Sequence, residues 1–222
     1  MNKLFNIIGV ILMLSLGACG MDDFAEPSET LKGAVIDEFT NEPIQTEQPN
    51  GYRIKLEDIG WSDTPVPLYF WGKPDGTFQN TKVMASQYIV TPVEGAFLPV
   101  KGVTLDIKGT VEQDFIVTPY VSIDIVEVKA ENKAIKVTYK VINRGNTDLQ
   151  EAIVYIGLNN PNIGVNFSTK SVKRTLKKTD SGVQFTNEIK DLSPGTYYVR
   201  VAARAKNPSN RYNMTKVMKV EL

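Results

Sequence analysis

The chain has no histidine and a single cysteine, Cys19. Histidine-based acid–base catalysis, Ser-His-Asp triads and imidazole metal ligation are excluded at once. One thiol also excludes an intrachain disulfide, so stability must come from packing. Asp, Glu, Lys, Tyr, Ser and Thr remain for chemistry. A glycosidase needs only two carboxylates, roughly 5–10 Å apart. Glu57, Asp58, Asp63 and Asp75 are the acidic residues that would supply such a pair. No Gly-x-Ser-x-Gly, phosphate loop, His-Glu-x-x-His or dinucleotide fingerprint occurs. The expectation is a protein that is not an enzyme and uses no cofactor and no metal.

Two other groups of residues could recognise a ligand. Trp61, Tyr69, Phe70 and Trp71 bring both tryptophans into one short stretch. If Leu68 and Phe70 face a core, Tyr69 and Trp71 face outward, and exposed rings would suit stacking on sugars. The more ordinary use of such rings is to fill a core or an interdomain contact, and that is the preferred expectation. The second group is basic: Lys170, Lys173, Arg174, Lys177 and Lys178. It reads either as an anion-contacting strip or as a lysine-protected edge strand, and the edge strand is preferred.

Cys19 has a context of its own. Met1-Asn2-Lys3 precedes a run from Leu4 to Leu16 that is apolar apart from Asn6, Gly9 and Ser15. That run suits a signal-peptide core and is short of the ~20 residues of a membrane span. It ends Leu16-Gly17-Ala18-Cys19, which resembles the lipobox of bacterial lipoproteins. The resemblance implies cleavage of residues 1–18 and diacylglyceryl attachment to Cys19. Two or three acyl chains, at about 0.8 kcal/mol per buried CH₂, hold a protein to a bilayer durably. Asp22 and Asp23 just behind Cys19 are similar to the export signal of Bacteroidetes-type surface lipoproteins, which implies the outer face of the outer membrane. Residues 19–30 otherwise read as an acidic linker, too polar to build a core.

The elements that must position these residues are strands. Tyr52, Ile54 and Leu56 alternate with Arg53, Lys55 and Glu57; Val103, Leu105 and Ile107 alternate likewise, as do Phe115 and Val117. In the second half Val121, Ile123 and Ile125, then Ile135, Val137, Tyr139 and Val141, repeat the period of two, and Ile153, Tyr155, Val183, Phe185 and Ile189 are read as continuing it. Turn signals separate them: Asn50-Gly51, Asp75-Gly76, Asp180-Ser181-Gly182 and Ser193-Pro194-Gly195. No segment holds a helical period over a dozen residues. The expected fold class is all-β, with two tandem β-sandwiches over residues 31–119 and 120–222.

Net charge is zero over the whole chain but not over its parts. Residues 19–119 carry 16 Asp and Glu against 7 Lys and Arg, a net of −9. Residues 120–222 carry 9 against 17, a net of +8. The preferred explanation is attraction between the halves across their interface, since exposed charges are screened beyond about 10 Å. The alternative is an anionic partner for the second half, such as an acidic polysaccharide. Nucleic acid is not an expected partner.

Three resemblances follow from particular residues. Leu31-Lys32-Gly33-Ala34-Val35-Ile36-Asp37 and Thr40-Asn41-Glu42-Pro43-Ile44 resemble the opening of carboxypeptidase-regulatory-like, transthyretin-type domains. Asn41 stands where that family has glycine, and asparagine tolerates the same left-handed turn. Leu192-Ser193-Pro194-Gly195-Thr196-Tyr197 resembles the sixth-strand region of fibronectin type III and Ig-like domains. That implies a tyrosine corner at Tyr197, one residue shorter than usual. With Asp75-Gly76-Thr77-Phe78 and Gly95-Ala96-Phe97-Leu98-Pro99, the combination of anchor, acidic linker and two sandwiches resembles uncharacterised two-domain surface lipoproteins of Bacteroidetes glycan-utilisation (Sus-type) loci. This implies a non-catalytic accessory or glycan-binding role, with polysaccharide and outer-membrane import-complex proteins as partners. A structural or assembly subunit that binds no glycan is the alternative.

Overall fold

The computed structural model describes residues 26–222. Cys19, the expected signal peptide and most of the expected acidic linker lie outside the described residues. Eight strands lie between residues 29 and 117: β1 (Glu29–Asp37), β2 (Arg53–Asp58), β3 (Leu68–Trp71), β4 (Thr77–Val83), β5 (Ser86–Val93), β6 (Val103–Ile107), β7 (Thr110–Glu112) and β8 (Phe115–Val117). One sheet centres on β1, which pairs antiparallel with β4 and parallel with β7 and then β8. The other sheet runs β3-β2-β5-β6, antiparallel throughout. Their facing sides share a core that includes Leu31, Val35, Phe78 and Phe115 from the first sheet. Tyr52, Ile54, Leu56, Tyr88, Val90 and Ile107 come from the second. The alternation at 52, 54 and 56 therefore points inward, as its period requires.

Two turn residues show why their types were needed. Asn41 adopts a left-handed φ of 56°. Gly76 has φ +81°, and a Cβ there would stand 2.3 Å from the Ile44 carbonyl oxygen. The Asp75-Gly76 turn can thus be built only with glycine at its second place.

The second half holds β9 (Val121–Glu131), β10 (Ala134–Asn143), β11 (Leu149–Leu158), β12 (Lys170–Thr175), β13 (Gln184–Ile189), β14 (Thr196–Ala205), β15 (Asn213–Met214) and β16 (Met218–Glu221). A three-stranded sheet, β13-β10-β9, packs on a five-stranded one, β12-β11-β14 with β15 and β16 both on β14. Ile135, Val137, Tyr139 and Val141 meet Val154, Ile156, Val199 and Val201 between them. Tyr197 is buried, and its hydroxyl donates to the Ser193 carbonyl at 3.0 Å. The shortened motif still closes a tyrosine corner. The chain is all-β, in two pairs of packed sheets.

One expectation needs correcting. Ile153 and Tyr155 do not continue the inward row, because Ala152, Val154 and Ile156 occupy it. They face the other side of β11, where Tyr155 forms a separate cluster with Ile163, Ala202, Tyr212 and Met214, and Ile153 packs against it. The stretch Ile153-Val154-Tyr155-Ile156 is apolar on both faces because both faces are covered, and a continuous run does not say which side is the main core. Val183 likewise sits in the turn before β13 and is exposed.

The halves meet through residues of the first that include Phe39, 42–48 and Ala96, and residues of the second that include Arg144, Arg200 and 211–216. Thr46 bridges Asn213 as an isolated antiparallel pair. The Asn213 amide donates to the Ala96 carbonyl at 2.9 Å and its oxygen accepts from the Val121 N–H at 3.1 Å. Glu47, almost fully buried, accepts from Arg211 at 2.7 Å and from the Tyr212 N–H at 3.0 Å. Lys216 pairs with Glu42 at 2.7 Å. The Arg144 guanidinium lies 3.9 Å from the centre of the Phe39 ring. In both ion pairs the acid comes from the first half and the base from the second, so part of the charge split serves this contact.

Candidate binding face

The β2–β3 hairpin sets the aromatic residues out on the first sandwich. Register pairs Arg53 with Trp71, Ile54 with Phe70 and Lys55 with Tyr69. Ile54 and Phe70 turn to the core, so Arg53, Lys55, Tyr69 and Trp71 share the outer face. Tyr69 is 45% and Trp71 44% exposed. The preferred expectation that these rings fill a core or an interdomain contact is therefore overturned. Being on the outer face of an edge strand, they have no second sheet to pack against. Leu68 lies on the same side of β3 as Phe70 but is 60% exposed, because it lines an open groove with Leu56, Val83 and Tyr88 at the sandwich edge.

Arg53 organises the face. Its guanidinium carbon stands 4.2 Å from the Tyr69 ring centre and 5.5 Å from that of Trp71. Glu94 pairs with the same guanidinium, and that hydrogen bond raises the Arg53 pKa above its ordinary value. Such stacking contributes about 0.5–1 kcal/mol at an exposed site and fixes ring orientation. Lys55 and Glu57 form a 2.8 Å ion pair further along the face, and Thr91 stands opposite Lys55 on β5. The result is two flat apolar rings beside charged groups. Arg53 was not singled out in the sequence; its signal was its position two residues before Lys55 in an alternating strand.

Trp61 is not part of this group. It is 78% exposed and follows β2 at the end of the hairpin opposite Trp71. Its backbone N–H donates to Asp58 Oδ1 at 3.1 Å. Of the four acidic residues considered for catalysis, Asp63 is exposed and the other three are engaged locally. Asp58 also accepts from the Ser86 hydroxyl, Asp75 accepts from the Thr77 N–H and hydroxyl, and Glu57 is paired with Lys55.

The basic residues sit on and just after β12, which is an edge strand pairing only with β11. They do not form one strip. Lys170 donates to the Lys190 and Asp191 carbonyls, and Arg174 donates to Asn187 and to the Thr186 carbonyl while lying over Phe185. These two tie the edge to the opposing sheet around β13. Lys173 points to the other face and pairs with Glu151. Lys177 and Lys178 follow the strand and are exposed. Period-two alternation divides any run of charges on a strand between two faces.

Glu151 gathers that second cluster. It accepts from Lys173, from the Tyr212 hydroxyl and from Arg204 at 2.9 Å. Burial alone would raise its carboxyl pKa, but the Lys173 and Tyr212 hydrogen bonds and the Arg204 charge outweigh it and the net shift is downward. The folded state therefore favours the ionised form. The stabilisation is complete above the ordinary value of 4.5 and is lost as pH falls through the lower folded-state value. Glu151→Gln should lower the melting temperature most above about pH 4.5 and progressively less below it. A difference that stays constant from pH 7 to pH 3 would refute this role.

Residues 29–118 match the model of the N-terminal domain of DUF3823, a protein of unknown function. Solved structures are similar along most of the chain. A DUF3823 family protein from Bacteroides uniformis has 25% identity and a TM-score of 0.75, covering 87% of this chain and 99% of that one. A second Bacteroides uniformis protein, described as a "putative carbohydrate binding protein", has 22% identity and a TM-score of 0.73, covering 88% and 100%. A DUF3823 family protein from Parabacteroides merdae has 16% identity and a TM-score of 0.71, with 88% and 100% covered. No curated protein matches the chain. The first sandwich, which carries the aromatic hairpin, is thus a match to the DUF3823 N-terminal domain, within a two-part fold shared with these solved proteins.

Proposed function

We propose that this chain is a lipid-anchored, non-catalytic glycan-binding protein of the outer membrane, displayed on the cell surface as an accessory of a polysaccharide import system. The observation that carries the reading is the outer face of the β2–β3 hairpin, where Tyr69 and Trp71 are held half-exposed around Arg53. Contiguous exposed rings beside hydrogen-bonding groups suit a pyranose, which offers an apolar face and a rim of hydroxyls. The similar protein described as carbohydrate binding agrees with this, although at 22% identity the likeness speaks for fold. Isothermal titration against a broad polysaccharide panel tests the reading. At least one glycan should bind, and Trp71→Ala should weaken it tenfold or more, about 1.4 kcal/mol, with the melting temperature unchanged. If no glycan binds, the reading fails.

The anchor rests on the lipobox sequence. Cys19→Ala should move the protein from the membrane to the soluble fraction, and a variant that stays membrane-bound would contradict the lipid attachment. Assembly without glycan binding is the second reading. The fixed join between the halves through Glu47 and Arg211 favours it, since a rigid rod suits a stalk. Isolation of the native protein from outer membranes without associated proteins would count against that reading.

A further inference from the structure

The cleft between the two halves contains a charge that no carboxylate among the described residues pairs with. Arg200, on β14, is only 5% exposed. Its Nε donates to the Thr215 carbonyl at 2.8 Å, Nη2 to the Thr46 carbonyl at 3.3 Å and Nη1 to the Ile163 carbonyl at 3.5 Å. Those acceptors are all neutral. A guanidinium has five N–H donors, so some remain unspent. Burial pulls its pKa down to about 10, which leaves it charged at neutral pH. A buried charge ordinarily has an opposite charge beside it, because taking it out of water otherwise costs several kcal/mol.

Arg200 lines a cavity of about 550 Å³ formed from both halves. Small-molecule sites typically measure ~300–1,000 Å³. Gln45 and Gln48 come from the first half; Asn162, Asn166 and Phe167 come from the second. The Phe167 ring is half exposed. Lys73 and Asp75 also border the cavity; Asp75 accepts from the Thr77 N–H and hydroxyl through Oδ1 and makes no ion pair with Arg200. The cleft thus combines a planar cation, side-chain amides and one exposed ring.

We infer that this cleft is a second ligand site, in which the Arg200 guanidinium receives the carboxylate of an acidic sugar. The fork of a guanidinium matches a carboxylate in two parallel hydrogen bonds. The amides address hydroxyls, and Phe167 offers a plane to the sugar ring. The carboxylate part of the inference follows from Arg200 alone, while the sugar part rests on the glycan reading above. Neither Tyr69 nor Trp71 lines this cavity, so the two sites can fail separately.

The test is titration of the whole chain with galacturonate and glucuronate oligomers, with their methyl esters and with succinate. The acids should bind at least about tenfold more tightly than the esters, the worth of a charge-assisted bond. They should also bind more tightly than succinate. Arg200→Gln should abolish that preference. Because a buried arginine also supports folding, Phe167→Ala is the second variant; it should weaken acid binding while Trp71→Ala leaves it intact. Equal binding of acids and esters overturns the site, as does acid binding indifferent to Phe167→Ala. Succinate binding as tightly as the uronates overturns the sugar assignment. Neutral-glycan binding lost in Trp71→Ala, without any preference for acids, would uphold the proposed function and reject this cleft. Uronate binding that needs Phe167 and is indifferent to Trp71→Ala, without any neutral-glycan binding, would uphold the cleft and reject the Tyr69–Trp71 face as a glycan site.

Discussion

Glu47→Ala should destabilise the protein by about 3 kcal/mol, the low end of the cost of breaking a buried ion pair. Glu47 is buried between the halves and answers two donors at once, the Arg211 guanidinium and the Tyr212 N–H. Alanine leaves both without their acceptor. The neighbouring residue Thr46 holds the bridge to Asn213 and accepts from Arg200, so the loss falls on the whole seam. Denaturant unfolding should change from one transition to two, because each half keeps its own core. Glu47→Gln should cost less, since its amide oxygen can still accept from Tyr212. A Glu47→Ala protein that unfolds in one transition at wild-type stability would show that the ion pair does not hold the halves together.

Tyr52→Ala should cost about 4 kcal/mol, in the range for emptying a buried aromatic site. The ring is fully buried and meets Phe97 edge-on at 6.3 Å. Its hydroxyl oxygen lies 2.8 Å from the Gly76 carbonyl oxygen and 2.9 Å from that of Thr77, sharing its one proton between them, which fastens the β2 side of the core to the Asp75-Gly76 turn. Gly72 lies against the ring so closely that a Cβ would stand 2.0 Å from it. Tyr52→Phe keeps the packing and loses the hydroxyl, so it should cost about 1–2 kcal/mol. Denaturant titration of the pair separates the two contributions. Equal losses in Phe and Ala variants would mean that the hydroxyl, not the packing, is what matters.

Tyr52 also shows how far the sequence could be read. Its inward direction follows from alternation with Arg53 and Lys55, and so does the all-β class. The hydroxyl's partners lie more than twenty residues away, and no local pattern announces them. The Tyr197 corner was legible because its partner is four residues upstream. The aromatic face was half legible: the register of Tyr69 and Trp71 was right, but whether anything covered them depends on which strands form the sheet's edge. Glu47, Asn213 and Arg200 were not legible as a group. Each looks like an ordinary polar residue until the two halves meet, and their chemistry belongs to that meeting. The basic residues of β12 do lie on an edge strand, as preferred, but they form no single strip, since neighbours in sequence on a strand are not neighbours on a surface.

Trp61 and Trp71 are the two tryptophans of the chain, which allows the binding face to be observed directly. In Trp61→Phe the remaining indole is Trp71, and in Trp71→Phe it is Trp61. Each variant is to be titrated with glycans while tryptophan emission is recorded. Sugar stacked on the β2–β3 face should shift or quench the emission of the Trp61→Phe protein, saturating with the calorimetric affinity, and leave the Trp71→Phe protein's emission unchanged. A glycan that binds without altering Trp71 emission would contradict recognition by this face.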